Sequence, residues 1–168
     1  MTAPAAIGLG SNVGDRETHL REAVGQLKSL GRMIRTSSLY ETAPVGGPEQ
    51  DWYLNAVVTL FTELDPRSLL RGLHAIEDLA GRTREVRWGP RTLDLDLLAY
   101  DAITIRTTDL TIPHPRAHER AFVLVPLAEV WAKADLGVGT AGDLAATIDR
   151  TEVVLVAQDW VGDNQSLE

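Results

Sequence analysis

An α+β domain built on an antiparallel sheet is what the first hundred residues predict, on three observations. Short β-branched or apolar runs alternate with stretches whose apolar residues recur at helical spacing. Recognisable start and stop residues bracket both helical stretches. The runs fall in the order strand, helix, strand, strand, helix, strand.

Each element has its own reason. Residues 5–9 are short and apolar, and Gly10-Ser11-Asn12 reads as the turn that ends them. A helix is expected from about Asp15, with Leu20, Ala23, Val24, Leu27 and Leu30 on one face and Gly31 as its stop. Residues 33–42, rich in β-branched and small polar types, read as one strand. Residues 43–51 carry two prolines and Gly46-Gly47, which makes them a loop. Residues 53–62 are again β-branched and form a strand. Asp65-Pro66 starts the second helix, the acid as cap and the proline in the first turn. Leu69, Leu70, Leu73, Ile76 and Ala80 give it an apolar stripe, and Gly81 ends it. After an arginine-bearing loop, residues 93–100 read as a buried strand. This is the β-α-β-β-α-β order of the ferredoxin-like fold, with both helices on one face of the sheet. Residues 101–168 are expected to add a short hairpin, one or two helices and a strand at 153–156, all within one domain spanning 1–168.

Composition narrows the function. At 168 residues the chain can bury roughly 70 % of its unfolded surface. A net charge of −8 argues against a nucleic-acid partner, which needs a broad positive field. The positive charge is nonetheless concentrated: Arg82, Arg84, Arg87 and Arg91 fall within ten residues, and Arg116 and Arg120 follow. Local basicity on an acidic protein suits a small anionic ligand. The absence of cysteine excludes disulfides and thiolate chemistry and fits a reducing compartment. The N-terminus has no basic segment followed by an apolar core, and the longest apolar run, 122–127, is too short to span a bilayer. A cytoplasmic protein without a membrane partner is expected, and a monomer, because no apolar stripe stands out as exposed.

Asp94-Leu95-Asp96 is the sharpest chemical feature. On a strand the two carboxylates project from one face while Leu93, Leu95 and Leu97 enter the core. Held so close, the carboxylates repel each other, and a magnesium ion between them resolves the conflict; magnesium takes one or two carboxylates and leaves its other positions to water and phosphates. An isolated Asp-x-Asp would more often decorate a solvated face. Beside four arginines, whose planar forks pair with phosphate oxygens, it describes a phosphate site. Trp88-Gly89-Pro90 inside the arginine loop suggests a lid that closes over substrates. Tyr53 and Asn55 share a strand face, and with Phe122 could stack on and hydrogen-bond a flat heteroaromatic ring, although such residues are commonly core. His114 and Arg120 could reach phosphates. The glycines of Gly8-Leu9-Gly10-Ser11-Asn12-Val13-Gly14 are spaced wrongly for a dinucleotide fingerprint and read as a tight strand-to-helix turn.

Taken together, these residues match a known pattern. Arg87-Trp88-Gly89-Pro90-Arg91-Thr92-Leu93-Asp94-Leu95-Asp96-Leu97-Leu98 resembles the signature of the pyrophosphokinases of folate biosynthesis. The resemblance extends to Gly10-Ser11-Asn12, Glu41-Thr42-Ala43-Pro44-Val45-Gly46, Tyr53-Leu54-Asn55-Ala56, Gly81-Arg82, Pro113-His114-Pro115-Arg116 and Arg120-Ala121-Phe122, and stops near Leu127. It implies transfer of pyrophosphate from ATP to 6-hydroxymethyl-7,8-dihydropterin. It further implies that Asp94 and Asp96 hold two magnesium ions. Arg82, Arg84, Arg91, His114 and Arg120 would contact the ATP phosphates, with Arg82 and Arg91 joining the aspartates in catalysis. Tyr53, Asn55 and Phe122 would bind the pterin with backbone groups near Thr42 and Val45, and Trp88 would pack over the site. The chain departs from some members at His74 and Pro115, where they carry glutamine and tyrosine near the nucleotide. Two rivals remain from the residues alone: a nucleotidyl transferase palm, which releases pyrophosphate, and a non-catalytic ferredoxin-like binding module.

Overall fold

The structure is a computed structural model that describes residues 1–47, 49–81 and 92–162. Its elements run β1 (Ala3–Ser11), α1 (Arg16–Leu27), β2 (Arg32–Thr36), β3 (Leu39–Thr42), β4 (Tyr53–Thr62), α2 (Pro66–Leu79) and β5 (Asp94–Tyr100). There follow β6 (Ile105–Arg106), β7 (Thr111–Ile112), α3 (Ala121–Trp131), α4 (Ala141–Thr147) and β8 (Val153–Ala157). The main sheet has the order β5-β1-β4-β3-β8, with β2 also paired to β4, and its ladders are antiparallel. Through β5 this is the ferredoxin-like order expected from the sequence.

The local signals hold. Asp15 caps α1 by accepting from Thr18 N at 3.2 Å, and Asp65 caps α2 by accepting from Ser68 N at 2.9 Å, with Pro66 in the first turn. The apolar stripes of α1 and α2 pack on one face of the sheet, where Leu20, Leu27, Leu69 and Leu73 meet Ile7, Leu9, Val58 and Leu60 in the larger core cluster. Complete burial of a leucine such as these contributes about 1.5–3 kcal/mol.

The opposite face is covered by the C-terminal additions. Val123, Leu124, Leu127 and Val130 of α3, with Ala141 and Ala145 of α4, pack against Ala6, Val57, Leu98 and Ala99. The small side chain of Ala6 lets α3 come close to β1. The α3 layer covers only part of this face, and the part it leaves open becomes the site.

Three expectations change. The strand over 33–42 divides at Ser37 and Ser38. Ser37 Oγ donates to Ser38 O at 2.7 Å and accepts from Val57 N at 2.9 Å, while Glu129 of α3 accepts from Ser38 N and Ser38 Oγ at 3.0 and 2.6 Å. Serine side chains here compete with the ladder for backbone groups. β1 does not end at Leu9 but continues through Gly10 and Ser11, so Gly8 and Gly10 are strand residues; the turn is left to Gly14, with φ +70°. Finally, an apolar stripe is exposed after all: Val154, Leu155 and Val156 on the edge strand β8 are 49 %, 52 % and 48 % exposed. From sequence alone, such a run is indistinguishable from a buried strand. Among the described residues, no helix is long and apolar enough to cross a membrane.

Candidate active site

The open part of the sheet is floored by glycine. In the ladders, Gly8 lies between Asp96 of β5 and Val57 of β4, and Gly10 lies between Asp94 and Asn55. A Cβ at Gly10 would come within 2.8 Å of Asn55 Nδ2, so any side chain there displaces the asparagine. The missing side chains leave a cleft of about 370 Å³ lined by Thr42, Val45, Tyr53, Asn55, Phe122 and the aspartates, among others. That volume suits a compact organic ligand.

Asn55 is 8 % exposed and its amide is oriented from both ends. Thr42 Oγ1 donates to its Oδ1, and its Nδ2 donates to Leu9 O at 3.2 Å. Those two bonds leave one N–H and one lone pair, a donor–acceptor edge for a ligand. Arg120, immediately before α3, also lines the cleft; its guanidinium lies 5.5 Å from the Phe122 ring centroid, and its Nε is buried without a hydrogen-bond partner. Burial and then Arg116 pull the Arg120 pKa below its ordinary value, opposed by Asp96 and Asp94. A buried guanidinium nitrogen lacking a partner is costly unless an anion completes it.

His114 is held by its backbone N donating to Leu98 O at 2.9 Å, and its Nδ1 accepts from Arg116 N at 3.2 Å. Neutral His114 therefore carries its proton on Nε2, where it can donate. Burial, and next Arg120, lower its pKa, with Asp94 opposing.

A second cleft of about 350 Å³ opens on the other side of β5, between α2 and the β6–β7 hairpin, and includes Leu70, His74, Asp109 and Pro115. Asp94, Asp96 and His114 line both clefts. The two carboxylates thus form the wall between a strand-floored cleft and a helix-flanked one. Among the described residues, no group of three or more His, Cys, Asp or Glu could hold a metal ion. A cation at this wall would have two carboxylates and would draw its other ligands from substrate and water.

Of the residues singled out from sequence, the structure brings Thr42, Val45, Tyr53, Asn55, Phe122, Asp94, Asp96, His114 and Arg120 around one cleft. Arg82, Arg84, Arg87, Trp88 and Arg91 lie outside the described residues. The sequence reads Gly8 and Gly10 as a turn, whereas their role depends on what faces them across two ladders. Glu77 is not singled out by the sequence at all. This α2 carboxylate is 1 % exposed, and its Oε2 accepts from Leu95 N at 2.7 Å, fixing the edge strand between the two aspartates. A signal existed: Glu77 follows Leu73 by four residues and so falls on the buried stripe.

Fold and site together define a small-molecule enzyme domain on a ferredoxin-like core, with a carboxylate pair where two clefts meet. Comparison with known proteins makes the class specific. Residues 6–132 match the family model of 7,8-dihydro-6-hydroxymethylpterin-pyrophosphokinase, and the chain belongs to that family. It is 53 % identical over 128 residues to the 2-amino-4-hydroxy-6-hydroxymethyldihydropteridine pyrophosphokinase of Bacillus subtilis, covering 75 % of this chain and 77 % of that protein. It is 44 % identical over 147 residues to the enzyme of the same name from Methylorubrum extorquens, covering 86 % and 93 %. Among solved structures, Plasmodium falciparum HPPK-DHPS with pteroate superposes with a TM-score of 0.70 at 18 % identity. That match spans 87 % of this chain and 42 % of the other, and bears on the fold alone.

Proposed function

We propose that the chain transfers pyrophosphate from ATP to the hydroxymethyl group of 6-hydroxymethyl-7,8-dihydropterin, giving AMP and the pterin pyrophosphate in folate biosynthesis. Membership of the pyrophosphokinase family supports the reaction. The observation that carries the reading for this chain is the shared wall: Asp94 and Asp96 between two clefts, beside an Arg120 Nε that lacks a partner.

On this reading the pterin lies in the glycine-floored cleft. The N–H and lone pair left on Asn55 meet its amide edge, Tyr53 and Phe122 flank the ring, and backbone groups near Thr42 and Val45 complete the pocket. ATP lies across β5, with its phosphates reaching the wall. His74 and Pro115 border that cleft, so adenosine contacts there are of this chain's own kind. Asp94 and Asp96 would hold two magnesium ions, which neutralise phosphate charge when bound. The donor set fits, because two hard carboxylates without a third protein ligand leave room for phosphate oxygens. Arg120, and His114 through Nε2–H, donate to the phosphates; Arg82, Arg84 and Arg91 are assigned the same task and Trp88 a packing role over the pterin.

In the reaction, the hydroxymethyl oxygen forms a bond to the β-phosphorus. The bond from that phosphorus to the oxygen bridging it to the α-phosphorus breaks, AMP leaves, and the alcohol proton passes to solvent or phosphate. Positioning and charge neutralisation suffice for such chemistry, and no general base is required. The residues 1–168 act as one domain, as a monomer: a stable interface needs about 800 Å² per partner, and the five residues of β8 present a fraction of that. The compartment is the cytoplasm, in keeping with a chain that has no cysteine.

Chromatography of a mixture of the protein with ATP, magnesium and 6-hydroxymethyl-7,8-dihydropterin tests the reading. AMP should rise in step with a pyrophosphorylated pterin. Pyrophosphate release would favour a nucleotidyl transferase, and intact ATP a binding module.

A further inference from the structure

The loop that borders the pterin cleft is tied down by residues that do not themselves line it. Residues 43–52 connect β3 to β4 and contribute Ala43, Pro44, Val45 and Gln50 to the cleft. Gly46 and Gly47 have φ +71° and +73°, a backbone region that gives the loop tip little intrinsic stiffness. Its two stems leave the β3–β4 ladder at Thr42 and Tyr53, and one side chain braces that junction. Arg16 Nη1 donates to Glu41 Oε2 at 2.8 Å, at the end of β3, and to Trp52 O at 2.9 Å, just before β4. A second tie lies beside it: Asn12, 4 % exposed, donates through Nδ2 to Gln50 Oε1 at 2.8 Å and to Asp51 O at 2.9 Å.

The placement of Arg16 asks for an explanation. It is the first residue of α1, where the positive end of the helix dipole disfavours a cation. Nothing in the packing of α1 requires an arginine there, since the buried face is Leu20, Ala23, Val24 and Leu27. What the side chain does is brace the junction of loop and ladder, and the ion pair with Glu41 is only part-exposed, at 29 % and 38 % of the two side chains.

We infer that Arg16, paired with Glu41, is a positioning residue for the pterin: it braces Trp52 against β3 where loop 43–52 leaves the β3–β4 ladder, so that the cleft is formed before the ligand arrives. The inference deepens the pterin assignment and rests on it. Ordering a loop at the moment of binding costs affinity, and a loop already tied avoids that cost. The ATP cleft shares none of this loop, so the effect should fall on one substrate only.

The test compares wild type with Arg16→Met, Arg16→Lys, Glu41→Gln and the Arg16→Met/Glu41→Gln double variant. Two readouts are used: the KM of each substrate, and fluorescence titration with 6-hydroxymethylpterin in the presence of magnesium and α,β-methylene-ATP. Arg16→Met should weaken pterin binding roughly tenfold, about what one charge-assisted hydrogen bond is worth, with the ATP KM and kcat within about twofold of wild type. Arg16→Lys should recover part of the loss, and the double variant should be little worse than Arg16→Met, because both changes open one clamp. Pterin binding unchanged in Arg16→Met, or equal losses for both substrates, would overturn the inference. A wild-type protein that forms no pterin pyrophosphate would sink the functional reading, whereas an active wild type with an indifferent Arg16→Met would sink only the clamp.

Discussion

The two clefts on either side of β5 are built by opposite means. The cleft proposed for the pterin is floored by strands: Gly8, Gly10 and Asn55 are fixed by ladders on both sides, and the Asn55 amide is oriented by Thr42 Oγ1 and by Leu9 O. The other cleft is flanked by a helix and a hairpin. Its wall is held through Arg67, in the first turn of α2, whose Nε donates to Asp109 Oδ2 at 3.1 Å and whose Nη2 donates to Thr107 Oγ1 at 3.0 Å. A strand floor gives precision, as a flat ring recognised along one edge needs. An exposed side-chain tie gives adjustability, which a nucleotide held mainly through its phosphates tolerates. The aspartates belong to both clefts, so they should be the one place where a substitution affects both halves of the reaction.

That comparison ranks the expected effects. Asp96→Ala should lower kcat by at least about 10²-fold, the scale of losing one preorganised charge in a transition state, and should make the remaining turnover less responsive to magnesium. Kinetics at several magnesium concentrations would show it, and a kcat near wild type would remove the aspartate from the chemistry. Next, Gly10→Ala should raise the pterin KM far more than that of ATP, because its Cβ would meet Asn55 Nδ2 at 2.8 Å. Equal changes in both KM values would mean that the glycine floor serves the fold and not the ring.

Glu77→Ala separates site from scaffold in another way. It strips the Leu95 N–H of its acceptor, and leaving a buried donor unsatisfied costs about 1–3 kcal/mol. Thermal unfolding should register that loss. A variant as stable as wild type would show that water replaces the carboxylate.

The smallest effect belongs to the exposed tie. Asp109 hydrogen-bonds to Arg67 and Thr107, which lowers its pKa to about 2. Because the folded pKa lies below the ordinary 3.8, the folded state holds the ionised form and the tie is fully present above about pH 4. It is lost as the pH falls from there towards about 2. The Tm difference between wild type and Arg67→Ala should therefore be small at pH 7 and shrink across that window. A difference that grows on acidification would contradict the assignment.

How much of this was legible in the sequence depends on whether the determining contact is local. Asp15, Asp65 and Pro66 announced both helices because capping acts within three residues. The alternation of Asp94 and Asp96 with leucines fixed their common face because strand geometry has period two. Gly8 and Gly10 were misread as a turn, since their purpose lies in Asn55 and Leu98 on neighbouring strands. The break at Ser37 and Ser38 depends on Glu129, 91 residues beyond Ser38 in the chain, and Arg16 meets Glu41 and Trp52 only once the sheet has formed. The described residues that gather around the cleft could be named from pattern and resemblance; those that hold them in place could not.

On the proposed reading, a pyrophosphoryl group crosses the aspartate wall in a single transfer. ³¹P NMR of ATP, magnesium and 6-hydroxymethyl-7,8-dihydropterin with the wild-type protein tests it most directly. The expected spectrum loses the three ATP resonances and gains AMP together with two mutually coupled diphosphate doublets on the pterin, and an Asp94→Asn/Asp96→Asn variant leaves ATP intact. ADP accompanied by a pterin monophosphate, or turnover in the double variant at the wild-type rate, would contradict the account.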